Sequence, residues 1–202
     1  ALRYDIVENN PAAGVRKIAG KARTRRLSAT EIRALGEAME IAERNEENPT
    51  GLAAVRALLL TGYRISEVIG MERSWLHADR GYVHFPDTKT DGQVRPIGQA
   101  AIQLLKALPE KRGLSLFFPS DFVDRPYSGV PETLRALCAI AGIKGVTPHV
   151  LRHTFGSVAG DMGFSELTIK ALLGHGARGS TQNYVHIDEA LRLAVERVST
   201  KI

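Results

Sequence analysis

Six side chains in this sequence have the types and spacing for chemistry on a phosphate. They are Arg64 just past a helix end, Lys89 beside a turn, His149 and Arg152 three apart at a helix start, His175 after Leu173-Gly174, and Tyr184 nine positions on. Two guanidiniums, an amine, two imidazoles and a phenol fit a phosphoryl-transfer centre in which protein cations do the work of a metal. The competing chemistries lack their residues. No Asp/Glu cluster stands at metal-ligand spacing with histidine, no serine sits in a nucleophile elbow, and no glycine-rich phosphate loop ends in its lysine. Singly, each of the six has an ordinary role: a surface arginine, a histidine in a first turn, a helix-end histidine, a half-buried tyrosine. On a helix, however, His149 and Arg152 share a face. Glu67, three residues after Arg64, is placed to orient that guanidinium by a charge-assisted hydrogen bond.

The elements that must carry these groups are legible from caps and periods. Ser28-Ala29-Thr30-Glu31 is a capping box ahead of Ile32, Leu35, Met39 and Ile41, which predicts a helix over 28–44. Asn48-Pro49-Thr50 opens an apolar run, Leu52 to Leu60, that stops at Thr61-Gly62 and delivers Tyr63 and Arg64. Tyr82 to Phe85 alternates, Asp91-Gly92 is a turn dipeptide, and Gln93 to Ile97 resumes the alternation, so a hairpin carries Lys89 near its tip. Helices follow over 104–108, 134–141, 151–162, 167–173 and 191–198, with Thr147-Pro148 and Ser165 as starts. Trp75 and Phe117-Phe118 are expected in the core. The fold class is α+β, mainly helical, with a small antiparallel sheet. The stripe Leu191, Ala194, Val195 and Val198 on the last helix fits packing on the same molecule or on a neighbouring protomer.

Composition bounds the rest. The chain has 202 residues, 44% hydrophobic, with 24% charged residues and no apolar run near the ~20 residues of a bilayer crossing. A lone cysteine, Cys138, excludes an internal disulfide or a thiolate metal cluster. Of the 27 basic and 22 acidic residues, seven basic and two acidic fall within residues 1–26. That stretch alone therefore carries the whole net charge of +5, and the remainder balances at 20 against 20. Arg16, Lys17, Lys21, Arg23, Arg25 and Arg26 make it a basic arm suited to a polyanion, or else a solvated terminus. Residues 1–26 are taken as a linker or arm and 27–202 as the folded body. No apolar stretch marks a signal peptide, so the expected setting is the cytoplasm.

These motifs resemble the catalytic domain of the tyrosine recombinases, the phage integrase family. The matching stretches are Thr61-Gly62-Tyr63-Arg64-Ile65-Ser66-Glu67, Lys89 in Thr88-Lys89-Thr90, His149-Val150-Leu151-Arg152, Leu172-Leu173-Gly174-His175, and Tyr184 in Thr181-Gln182-Asn183-Tyr184-Val185-His186. The likeness extends from about Asn10 to the C-terminus. One stretch departs from it, because Val94-Arg95-Pro96-Ile97 matches the usual basic-then-proline strand ending less cleanly. The helical core-binding domain that such proteins place before the linker is absent from these 202 residues, so an isolated catalytic domain is implied.

The resemblance implies a DNA strand transferase. Tyr184 attacks the phosphodiester to give a 3′-phosphotyrosyl ester, Arg64 and Arg152 neutralise the phosphate, and His149 acts as base. Lys89 protonates the leaving 5′ hydroxyl, while His175 donates to the phosphate. It further implies double-stranded DNA as partner, a homotetramer on DNA, no cofactor, metal or ATP, and a phage-encoded or bacterial, nucleoid-associated protein that integrates and excises DNA. Two alternatives stay open. A type IB topoisomerase would use the same groups to relax supercoils, and a non-catalytic DNA-binding regulator could keep the fold without forming an adduct.

Overall fold

The computed structural model describes residue 14 and residues 25–86, 92–110, 113–121, 125–174 and 189–202. Helix α1, Ala29–Arg44, begins at the capping box. The Ser28 hydroxyl accepts the Glu31 N–H at 3.2 Å and the Glu31 carboxylate accepts the Ser28 N–H at 2.9 Å, so two unpaired donors are met reciprocally. Its buried face is Leu35, Ala38, Met39 and Ala42. Ile41, expected on that face, points outward, because positions 35, 38, 39 and 42 share a stripe that position 41 leaves.

Helix α2, Pro49–Thr61, is capped by the Asn48 side chain, which accepts the Gly51 N–H at 3.0 Å, and has proline in its first turn. It stops where Gly62 takes a left-handed conformation (φ 63°). The helix is buried nearly all round, as its almost unbroken apolar run requires, and the other elements assemble on it. A five-residue helix α3, Ile65–Ile69, and a 3₁₀ turn, Arg73–Trp75, lead into the sheet. Strands β1 (Leu76–His77), β2 (Tyr82–Phe85) and β3 (Gln93–Pro96) form one antiparallel sheet in that order, with Val83 opposite Leu76 on one side and Arg95 on the other.

Helices α4 (Gln99–Ala107), α5 (Val130–Ile140), α6 (Pro148–Asp161), α7 (Glu166–Leu172) and α8 (Glu189–Lys201) complete the body. The fold is α+β and mainly helical, as expected. Helix α4 starts five residues earlier than the apolar pattern announces. Its first free N–H, on Gln99, is capped from a distance by the Glu196 carboxylate of α8 at 2.7 Å.

Two apolar clusters result. The larger joins α1, α2, α4, α5, Phe117 and Phe118 and reaches α6 at Leu151; Trp75 packs half-buried at its edge, its ring 5.9 Å from that of Phe85. The smaller holds Phe155, Ala159, Leu172, Ala194, Val195 and Val198. The apolar stripe of α8 is thus buried in its own molecule. Cys138 is buried in the larger cluster. Among the described residues no helix is long and apolar enough to cross a membrane, and no three His, Cys, Asp or Glu side chains are grouped to hold a metal ion.

Candidate active site

The turn at Gly62 redirects the chain so that Tyr63 goes inward and Arg64 outward. Tyr63 is 1% exposed, and its hydroxyl donates to the Pro96 carbonyl at 2.9 Å, tying the turn to β3. Burial pushes its phenol well above the ordinary tyrosine range, so it serves as a neutral donor. Arg64 is the extended residue that begins α3, with its side chain in solvent. Glu67 holds it twice: one carboxylate oxygen accepts the Arg64 backbone N–H at 2.7 Å and the other accepts Nη1 at 2.6 Å. The spacing of three residues permits this, since the N-cap and the third helical position meet at a helix start.

Helix α6 supplies the next pair. Thr147 caps it and Pro148 fills the first position, so His149 lies in the first turn, exposed, with its ring 4.3 Å from that of His153. Arg152 lies one turn on and is 5% exposed. Its Nη1 donates to the Gly62 carbonyl at 2.7 Å and its Nη2 to the Leu173 carbonyl at 2.5 Å. Backbone groups therefore fix the plane of its guanidinium, joining the end of α2 to the end of α7. Desolvation, and then the nearby cations Arg64 and Arg95, pull its pKa down to about 10, against a smaller opposing pull from Glu67.

A third guanidinium joins them. Arg95 on β3 is 1% exposed. Its Nη2 donates to the Leu172 carbonyl at 2.7 Å, its Nη1 is 3.5 Å from the Glu67 carboxylate, and its guanidinium lies 4.5 Å over the Tyr63 ring. Burial lowers its pKa, while Tyr63 and Glu67 oppose that shift. Nothing in the spacing of the sequence assigns Arg95 to the site. Its strand alternates, and alternation gives no sign that a charged residue is the one turned inward. The only signal was the imperfect strand ending before Pro96.

The structure thus brings together Arg64, Arg152, Arg95 and Glu67: three guanidiniums around one carboxylate, two of them buried. Like charges at this range in a poorly hydrated setting repel. An anion with several acceptor oxygens would relieve that repulsion, and phosphate suits the fork geometry of arginine. Lys89, His175 and Tyr184, and Arg16, Lys17, Lys21 and Arg23 of the arm, lie outside the described residues. Arg25 and Arg26 have partners within the protein. Arg25 binds Glu31 through both terminal nitrogens, at 3.0 and 2.5 Å, and Arg26 pairs with Asp161 of α6 at 2.6 Å.

The model of the phage integrase family matches residues 25–190, which takes in all six chemical groups. Tyrosine recombinase XerD of Chlorobaculum tepidum is 32% identical over 148 residues, covering 68% of this chain and 49% of that protein. XerD of Lacticaseibacillus casei is 30% identical over 184 residues, or 84% and 60%. The chain therefore spans about half the length of such curated relatives. Among solved structures, XerA recombinase superposes with a TM-score of 0.63 at 26% identity, over 83% of this chain and 62% of that one. The integrase of mycobacterium phage Brujita covers 100% of this chain and 71% of its own, with a TM-score of 0.69 at 18% identity, which speaks for the fold. So does a lambda integrase dimer bound to a COC′ core site, with a TM-score of 0.61 at 21% identity over 93% of this chain and 70% of that one. With its fold, its arginine cluster and a match over most of its length in agreement, the chain belongs to the phage integrase family of tyrosine recombinases.

Proposed function

We propose that this chain is the catalytic part of a site-specific DNA recombinase, which cuts and rejoins double-stranded DNA through a covalent 3′-phosphotyrosyl intermediate. The observation that carries this reading is the proximity of the exposed Arg64, held by Glu67, to the buried Arg152, held by backbone carbonyls. A phosphodiester resists nucleophiles through its own negative charge. Two preset guanidiniums screen that charge and stabilise the further charge that develops in the pentavalent transition state. Arg152, with a pKa near 10, remains cationic at neutral pH.

Tyr184 is the nucleophile in this reading. Its phenol has an ordinary pKa near ~10 and needs a proton acceptor, for which His149, exposed at the start of α6, is the base. The new P–O bond forms on Tyr184 as the bond to the 5′ oxygen breaks, and Lys89 supplies the proton that the departing hydroxyl requires. His175 donates a hydrogen bond to the same phosphate. The ester keeps the energy of the broken bond, so a different 5′ hydroxyl can reverse the step and rejoin DNA without ATP. Exchange between two duplexes needs several such sites acting in order, which is the reason for a homotetramer on DNA and for work at the nucleoid in the cytoplasm. Support comes from the relatives, which include a lambda integrase tetramer bound to a Holliday junction. In this reading the basic arm, residues 1–26 with Arg16, Lys17, Lys21, Arg23, Arg25 and Arg26, follows the DNA backbone, where phosphate contacts position without reading sequence.

The test uses nicked duplexes whose cleaved piece diffuses away, incubated with the chain in the presence of chelator. The expected result is a DNA adduct that denaturing gels detect and peptide mass spectrometry maps to Tyr184, absent in Tyr184→Phe. DNA binding without an adduct, unchanged in Tyr184→Phe, would instead make the chain a DNA-binding module.

A further inference from the structure

Helix α7 ends in three successive carbonyls, and each accepts a side-chain N–H from elsewhere. Leu172 accepts from Arg95 at 2.7 Å, Leu173 from Arg152 at 2.5 Å, and Gly174 from Gln93 at 3.3 Å. The last carbonyls of a helix have no partner within it and carry the negative end of its dipole, so cations are favoured there. Two of the three donors, Gln93 and Arg95, stand two apart on β3 and hence on one face of that strand. In sequence, β3 directly follows the β2–β3 connection that includes Lys89, and Gly174 directly precedes His175.

Arg95 makes the closest of these joints. A Cβ on Gly174 would lie 2.0 Å from its Nη1 and 2.6 Å from its Cζ, and Gly174 has φ +65°, so only glycine fits where the guanidinium rests. The same Nη1 faces Glu67, the carboxylate that holds Arg64. As a simple core filler Arg95 is a poor choice. It is desolvated, it sits near two other guanidiniums, and neither Nε nor Nη1 has a hydrogen-bond acceptor among the described residues. An apolar side chain of similar volume would avoid those costs. Buried donors without an acceptor call for an explanation, and a role at a functional site is one.

We propose that Arg95 is a positioning residue of the phosphodiester site: its guanidinium locks the strand that follows Lys89 onto the α7 turn that leads into His175, and braces Arg64 through Glu67. Three separate stretches of chain are thereby held in one frame around the phosphate. The assignment rests on the strand-transfer reading above for the roles of Lys89, His175 and Arg64. The joints themselves are features of the structure.

Single-turnover cleavage of nicked duplexes and DNA affinity are measured together on this chain and on Arg95→Met, Arg95→Lys, Gly174→Ala and the Arg95→Met/Gly174→Ala double variant. Misplacing reacting groups by about an ångström leads us to expect about 100-fold slower cleavage in Arg95→Met, with the DNA Kd within about threefold of wild type. Arg95→Lys keeps the charge without the fork and recovers about tenfold of that loss. The double variant is no slower than the worse single one, because both break one joint. Cleavage at the wild-type rate in Arg95→Met overturns the proposal. So does a parallel loss of cleavage and affinity that tracks the melting temperature, which is the mark of a purely structural residue.

A second arm does not depend on cleavage. Inorganic phosphate should raise the melting temperature of the wild type, and the rise should fall to less than about half in Arg95→Met and in Arg95→Lys remain nearer to wild type. An undiminished rise in Arg95→Met overturns the proposal. If the wild type forms no adduct yet this phosphate-linked rise depends on Arg95, the strand-transfer reading fails while Arg95 stands as organiser of an anion site.

Discussion

The two apolar clusters of this protein are held together differently. The larger, built around α2, is a continuous body of aliphatic and aromatic side chains in which Leu35, Ala54, Val55, Leu58 and Phe118 have no measurable exposure. The smaller, between α6, α7 and α8, has six buried members, and it is bound to the rest by polar joints: Arg152 to Gly62 and Leu173, Arg95 to Leu172, Glu196 to Gln99. Apolar contact is nondirectional and tolerates small shifts, whereas a charged fork on a carbonyl fixes direction as well as distance. The protein draws bulk stability from the first region and geometry from the second. The candidate site lies where they meet.

The sharpest way to break this comparison is to truncate one buried aliphatic side chain on each side. Leu58→Ala empties the centre of the larger cluster and should cost about 2–5 kcal/mol of stability, read from denaturant midpoints. Val198→Ala in the smaller cluster removes two methylene equivalents and should cost roughly 1–2 kcal/mol, at about 0.8 kcal/mol per buried methylene. A loss at Val198 as large as that at Leu58, although fewer carbons are removed, would mean that the smaller cluster contributes as much bulk stability as the larger.

An intermediate effect is expected at the seam. A Cβ on Gly62 would lie 2.7 Å from the Phe155 ring of the smaller cluster, and Gly62 has φ +63°. Gly62→Ala should therefore cost about 1–3 kcal/mol from overpacking and left-handed strain. Because the Gly62 carbonyl also seats Arg152, cleavage should fall by more than that loss of stability accounts for. A variant that is destabilised but cleaves normally would show that the turn can move without disturbing the guanidinium.

The smallest effect concerns acid, and it belongs to the larger region. Arg25 first, and then the Ser28 backbone, hold the Glu31 carboxyl down to about 2, from an ordinary value near 4.5. A carboxyl whose folded pKa is depressed adds stability above its unfolded pKa and loses that contribution as pH falls toward the folded one. Glu31→Gln should thus lower stability slightly at neutral pH and flatten the decline between about pH 4.5 and 2. The pair is partly exposed, so salt should shrink the effect. Identical acid unfolding curves for the variant and the wild type would assign the acid sensitivity to other carboxylates.

How much of this was legible in the sequence follows the same division. The capping box at Ser28, the glycine stop at Gly62 and the Thr147-Pro148 start were readable because caps are local chemistry, and the elements they bound agree with the structure within a few residues. Helix α3 escaped notice since five residues are too few to express a period. The early start of α4 escaped because its cap, Glu196, lies 97 residues away. Arg64 could be singled out just past a helix end, Glu67 three residues after it, and His149 and Arg152 by their spacing at a helix start, and the structure brings Arg64, Glu67 and Arg152 near one another. Arg95 could not, since its partners are in α3 and α7 and only the assembled fold makes a buried arginine on an alternating strand sensible.

The polar joints also bear on how the chain reaches its native state. Arg95 meets Leu172 across 77 residues of sequence, and Arg152 meets Gly62 across 90. Contacts of that separation require the entropy of closing a long loop to be overcome before they return anything, so they form only as the same collapse that packs α5 and α6 on α2 takes place. The arginine cluster is therefore a product of the tertiary fold and of no single local segment. A nascent or partly unfolded copy presents the same arginines without the frame that aims them, so on the proposed function any strand-cutting capacity arrives only with a completed fold.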